Sequence, residues 1–275
     1  MTTNLAEPSP TFRSCFPVFE LINPRQLTPW VLLSIGLGIA AAWAGYRIWS
    51  IPLWMSTLIV LGVLLPVGIF KWRDDRRRYG LTVMILSILL IAQGTHTIEH
   101  LVQWVEYHIL FFTPRQSNGL LSPANSEWVH FIWNWTVLIT VGMLIFKGKV
   151  QNFWSFLLLG VAVAHTAEHS YALIRFLLVG QELSTMGLIC TAQGLPGILG
   201  RDGLLARSPA TYGTFIRDIP GLTTAIRLDV HFWWNAIEMT LSLIAAHFFL
   251  RDFNKTPQAA LPPAPKREPA VSGAV

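Results

Sequence analysis

Six apolar runs organise the chain, at about 29–49, 52–70, 80–111, 127–146, 152–179 and 225–250. Each approaches or exceeds the ~20 residues that an α-helix needs to cross a hydrocarbon core. The runs are too long, and too uniformly apolar, for the alternating strands of a lipid-facing barrel. The pattern predicts an all-α polytopic membrane protein with six transmembrane helices. Residues 1–28 hold prolines at 8, 10, 17 and 24 and no short apolar core ending in small residues. The first run is therefore expected to persist as a helix rather than be removed as a signal.

Polar residues interrupt four of these runs in a repeated way. "THTIEHL" at 95–101 returns as "AHTAEHS" at 164–170, so that a shift of 69 places His96, Thr97, Glu99 and His100 on His165, Thr166, Glu168 and His169. A second block, "VHFIWN" at 129–134, returns as "VHFWWN" at 230–235 with five of six positions identical. The order is first block, second block, then both again. The third and fourth runs thus form one half and the fifth and sixth the other, with corresponding helices pointing the same way. Such a parallel repeat implies a pseudo-two-fold axis along the membrane normal and a four-helix bundle. The first two helices are expected on its flank.

Spacing then gathers the polar groups. Positions i, i+3 and i+4 share one face of a helix, as do the i, i+4 pairs His130/Asn134 and His231/Asn235. His96 lies 16 residues into the third run, about 24 Å at ~1.5 Å per residue, and His165 lies 13 residues into the fifth, about 20 Å. His130 and His231 stand near the starts of their runs, on the same side. Six histidines and two glutamates are expected to converge in one half of the bilayer.

Composition agrees with a membrane chain. It is 52% hydrophobic and 13% charged, with mean hydropathy +0.47, against about a quarter charged for a soluble domain. The twelve tryptophans suit interfacial belts. The basic string "KWRDDRRRYG" at 71–80, "KGK" at 147–149 and the C-terminal basic residues fall on one side of six spans. The positive-inside rule makes that side cytoplasmic, in a plasma (inner) membrane, with both termini inside and the histidines toward the outside. The +5 net charge is read as topology and as anionic-lipid affinity, not as a nucleic-acid signal. The organisation follows: a cytoplasmic segment 1–28; two helices and a basic cytoplasmic loop, 29–79; repeat halves 80–150 and 151–252, the second with an outer loop 180–224; and a Pro/Ala-rich disordered tail 253–275. Cys15 and Cys190 are placed on opposite sides, so neither a disulfide nor a shared metal site is expected between them.

Ionisable side chains inside a bilayer cost roughly 2.5–3.5 kcal/mol each on insertion scales, and a metal offsets that cost by taking neutral imidazole and carboxylate as ligands. Two transition-metal ions are expected, iron first, then copper or zinc. The proposed ligands are His96, Glu99, His100 and His130 from one half and His165, Glu168, His169 and His231 from the other. Di-iron carboxylate bundles use Glu and His at such spacings, although the ligand order here differs. Asn134, Asn235, Thr97, Thr166 and Gln103 are expected to support the ligands. His108 and His247 lack repeat partners and are read as structural or interfacial. Trp133 and Trp234 are read as packing residues, and Glu238 is a candidate for proton transfer.

The expected function is an oxygen-activating oxidoreductase acting on a lipophilic or small apolar substrate from the bilayer. The alternatives are a haem-binding electron-transfer protein, a zinc-dependent membrane hydrolase, and a non-catalytic subunit of a membrane complex. A transporter is disfavoured because "LTVMILSILLIA" and "FWSFLLLGVAVA" offer no polar path onward. The loop 180–224 is expected to cap the site or form a substrate entrance.

Overall fold

The computed structural model describes residues 16–185 and 195–253, and every regular element among them is helical. A short α1 (Pro17–Ile22) precedes α2 (Thr28–Trp49), α3 (Leu53–Tyr79), α4 (Leu81–His108), α5 (Glu127–Phe146), α6 (Phe153–Thr185), a one-turn α7 (Leu204–Arg207) and α8 (Arg227–Phe253). Proline starts several of them. Pro17 and Pro29 stand in first turns and Pro52 immediately precedes α3, where a missing N–H costs nothing. Ser126 caps α5, its side chain accepting from the Val129 N–H.

The helix from Arg25 to Trp49, together with α3, α4, α5 and the first 28 residues of α6, is long and apolar enough to cross a membrane. The sixth expected span, α8, is long enough at 27 residues but is not among them. Arg227, Asp229, His231, Asn235 and Glu238 dilute its apolar character. The observed bounds follow the expected runs closely, α5 to the residue.

One difference is instructive. Residues 71–79, expected as a basic loop, continue α3 as helix, and the single residue Gly80, at φ +89°, turns the chain into α4. Lys71 and Asp75, one helical turn apart and both buried, explain the continuation. Their ion pair (2.5 Å) is joined by Arg25 Nη1 on Asp75 (3.1 Å), and Lys71 Nζ also donates to Ser87 on α4 (2.9 Å). The charges tie α3 to α4 and to the segment before α2 instead of lying in solvent.

α2 packs on α3 and α3 on α4, while α4, α5, α6 and α8 touch in that cyclic order, α8 closing on α4. The apolar core fills the Gly80 end of these four helices. Leu86, Leu89 and Leu90 meet Val137, Val141, Leu144, Leu158, Leu241 and Leu250, and α1 plugs that end with Val18 and Leu21. Polar side chains occupy the opposite end. Cys15, Cys190 and the tail beyond 253 lie outside the described residues.

Candidate metal centre

α4 carries His96 and His100 one turn apart, α6 carries His165 and His169, and α5 and α8 contribute His130 and His231 from their first turns. The six rings form one contiguous cluster. Centroids are 4.7 Å apart for His96–His100, 5.4 Å for His100–His130 and for His100–His231, 4.8 Å for His165–His169 and 4.9 Å for His169–His231. His130 and His169 stack almost parallel, at 4.9 Å and 7°, across the seam between the sequence halves. One nitrogen each from His96, His100 and His130 lie within 4.8 Å of one another, close enough to hold a metal ion.

Hydrogen bonds decide where the protons of His100 and His130 sit. Asn125 donates from Nδ2 to the Asn118 carbonyl (2.8 Å), so its Oδ1 accepts from Gln103 Nε2 (2.6 Å). That leaves Gln103 Oε1 as an acceptor 2.9 Å from His100 Nδ1, which must carry the hydrogen. His130 Nδ1 faces the Ser126 carbonyl at 3.2 Å and must carry one too. In the neutral rings both Nε2 atoms are then lone-pair nitrogens. They face each other at 3.4 Å. Two lone pairs at that distance repel unless a cation or an added proton lies beside them, so the donor set fits a metal. Gln103, which the spacing placed behind the histidines, contacts His100 directly, and Asn125 behind it was not foreseen.

The second half is built differently. His165 Nε2 lies 3.1 Å from His169 Nε2, and His165 Nδ1 lies 3.2 Å from Glu238 Oε1. Glu238 Oε2 accepts from Gln93 Nε2 (3.0 Å), which also reaches Asn235 Oδ1, and Gln93 Oε1 accepts from the Trp133 indole. This buried chain runs from one half to the other. Trp133 packs on His96 and Trp234 stacks on His165 at 5.1 Å and 8°.

The glutamates placed among the ligands do something else. Glu99 accepts from the Leu120 N–H (2.8 Å) and the Leu121 N–H (3.0 Å), in the loop between α4 and α5. Glu168 accepts from the Ile198 N–H (3.0 Å) and the Leu199 N–H (3.1 Å), in the loop between α6 and α8. Each loop presents Gly-(Leu/Ile)-Leu, and each glycine makes room. A Cβ on Gly119 would overlap the Glu99 carboxylate, and one on Gly197 the Glu168 carboxylate. The two carboxylates therefore fasten the loops over the histidine end of the helices. Arg175 binds the Pro196 carbonyl (2.8 Å), and Glu127 takes both the Leu195 N–H (3.2 Å) and Arg227 (2.6 Å), pinning the second loop further.

The remaining residues expected to support the ligands act on helix packing. Thr97 donates to the Gln93 carbonyl (2.8 Å) and approaches the Asn235 carbonyl (3.5 Å), whereas Thr166 donates to the Asn134 carbonyl (3.2 Å). Each threonine reaches the helix of the other half. Asn134 and Asn235 bond back to the carbonyls of His130 and His231. His108 pairs with Asp229 at the surface (2.6 Å), and His247 packs against Phe16. Compared with known protein families, curated proteins and solved structures, the chain matches none.

Proposed function

We propose that the protein is an integral membrane metalloprotein whose six clustered histidines hold a pair of transition-metal ions, and that it is an oxidoreductase acting on a lipophilic substrate. The observation that carries this reading is the facing pair of lone-pair nitrogens on His100 and His130, 3.4 Å apart in a buried site. His96, His100 and His130 would form one ligand group and His165, His169 and His231 the other, related by the pseudo-two-fold axis of the repeat. α8 is read as the sixth span, its polar face turned to its neighbours rather than to lipid.

With Glu99 and Glu168 engaged by the loops, the ligand set is imidazole alone. That moves the preferred metal from iron, which non-haem oxygenases hold with mixed His and carboxylate ligands, to copper, with zinc next. Copper would supply one-electron and oxygen chemistry here, whereas zinc would supply water activation. The chain's own residues orient and insulate. Gln103 and the Ser126 carbonyl hold the protons of His100 and His130 on Nδ1, Glu238 stands 3.2 Å from His165, and the apolar core seals the Gly80 end against water. Imidazole rings in direct contact leave no planar slot between them for a porphyrin, which disfavours the haem reading. The basic end of α3 is read as cytoplasmic, which puts the histidines toward the outer leaflet.

Elemental analysis of the detergent-purified full chain tests this reading. Copper or zinc is expected at about one ion per three histidines, and the double variant H100A/H130A is expected to lose at least half of it. A wild-type chain that takes up no copper, zinc or iron on reconstitution, or a double variant with unchanged content, would overturn it.

A further inference from the structure

One stripe of α3 faces away from the rest of the protein. Met55, Leu58, Leu65, Ile69 and Phe70 are exposed along it, whereas Lys71 and Asp75, on the other side of the helix, are buried. On a helix that crosses a membrane, such an exposed apolar stripe meets acyl chains. The stripe does not stop at Phe70. Arg76 and Arg77 stand two turns beyond Ile69 and Phe70, with Arg73 between them, so all three arginines continue the same face. All three are exposed.

Their level is set by helix length. From Leu53 to Phe70 the chain rises about 26 Å at ~1.5 Å per residue, close to the roughly 30 Å of a hydrocarbon core. The arginines therefore begin where acyl chains end and phosphates lie. Of the five basic residues at 71–78, two are already neutralised. Lys71 is paired with Asp75, and Arg78 with Asp74 (2.8 Å). Arg73, Arg76 and Arg77 have no carboxylate within ion-pair reach among the described residues. Lys147 and Lys149 are exposed too, and stand at the same end because Gly148 between them packs on Thr82, two residues past Gly80.

We propose that this face of α3 binds anionic phospholipids of the leaflet at the Gly80 end. Arg73, Arg76 and Arg77 take the phosphate, and Leu65, Ile69 and Phe70 lie against the acyl chains. Lys147 and Lys149 add to the attractive field. Guanidinium forks suit phosphate oxygens, which they bind in pairs. The alignment of the unpaired cations with the lipid-facing stripe selects a lipid over a soluble anion, since a solute needs no acyl-chain surface beside its phosphate. The proposal does not depend on the metal centre.

Electron paramagnetic resonance of spin-labelled lipids tests it, on the full chain reconstituted in phosphatidylcholine bilayers at low salt. The motionally restricted fraction compares phosphatidylglycerol with phosphatidylcholine. Phosphatidylglycerol is expected to be preferred by at least about fivefold, the worth of one well-placed cation at a membrane surface. R73Q/R76Q/R77Q should remove most of that preference, while D74N/R78Q, which deletes a pair already neutral, should leave it within about twofold. All these side chains lie at the surface, and unchanged melting temperatures in detergent show that the variants are folded. At matched ionic strength, inorganic phosphate should displace phosphatidylglycerol no better than chloride does. Equal association of the two lipids with the wild type, a preference that survives in the triple variant, or selective displacement by free phosphate would each overturn the proposal.

Discussion

Gln103 Oε1 lies 2.9 Å from His100 Nδ1, and that contact leaves His100 Nε2 as a lone pair facing His130. Gln103→Leu removes the acceptor and frees the ring to exchange tautomers. Metal affinity, measured by competition with a chelator, is expected to fall about 10–100-fold, the usual cost of losing a partner behind a ligand. An unchanged affinity would show that His100 is not a ligand.

Gly119 and Gly197 lie so close to the carboxylates of Glu99 and Glu168 that neither tolerates a side chain, and Gly119 also has φ +67°. Gly119→Ala and Gly197→Ala are each expected to destabilise the protein by about 1–3 kcal/mol, the cost of unseating buried hydrogen bonds. Gly142→Ala, where a Cβ meets open space, should be neutral or slightly stabilising. Apparent melting temperatures in detergent compare the three, and equal values would contradict the clamp.

Asp75 is completely buried between Lys71 and Arg25. Asp75→Leu alone strands the Lys71 ammonium and should cost about 3–5 kcal/mol, whereas Asp75→Leu with Lys71→Met should recover most of that. Thermal unfolding of the two variants reads the difference. A double variant as unstable as the single one would mean that the pair contributes more than mutual neutralisation.

Glu127 is shared between Arg227 and the Leu195 N–H, so it couples the start of α5, the start of α8 and the second loop. Glu127→Gln is expected to raise hydrogen exchange across 195–203 by about tenfold or more, with α4 unaffected. Exchange measured by mass spectrometry checks this, and uniform protection would rule out the coupling.

Much of this was legible in the sequence. The apolar runs located the long helices because length and composition decide a span, and the doubled His/Glu/His and His/Asn blocks predicted that the six histidines meet. Spacing could not reveal where a side chain turns. Glu99 and Glu168 share a helical face with their histidines, yet both reach for loop N–H groups. The clue was the Gly-(Leu/Ile)-Leu segment that follows each of their helices, at 119–121 and 197–199. Lys71 and Asp75 at i, i+4 signalled a continuing helix within a string whose charge suggested a loop. The buried chain through Gln93, Trp133 and Glu238 had no repeat to announce it, since the second half has Ala162 where the first has Gln93.

Because α3 and α4 are joined by Gly80 alone, they behave like the arms of a peg sprung at one end. Beside that joint the space is stoppered by Lys71, Asp75 and Ser87, with Leu21 wedged in the core behind. Sliding one arm along the other must break the Lys71–Ser87 bond, so this polar lock keeps the two helices in register.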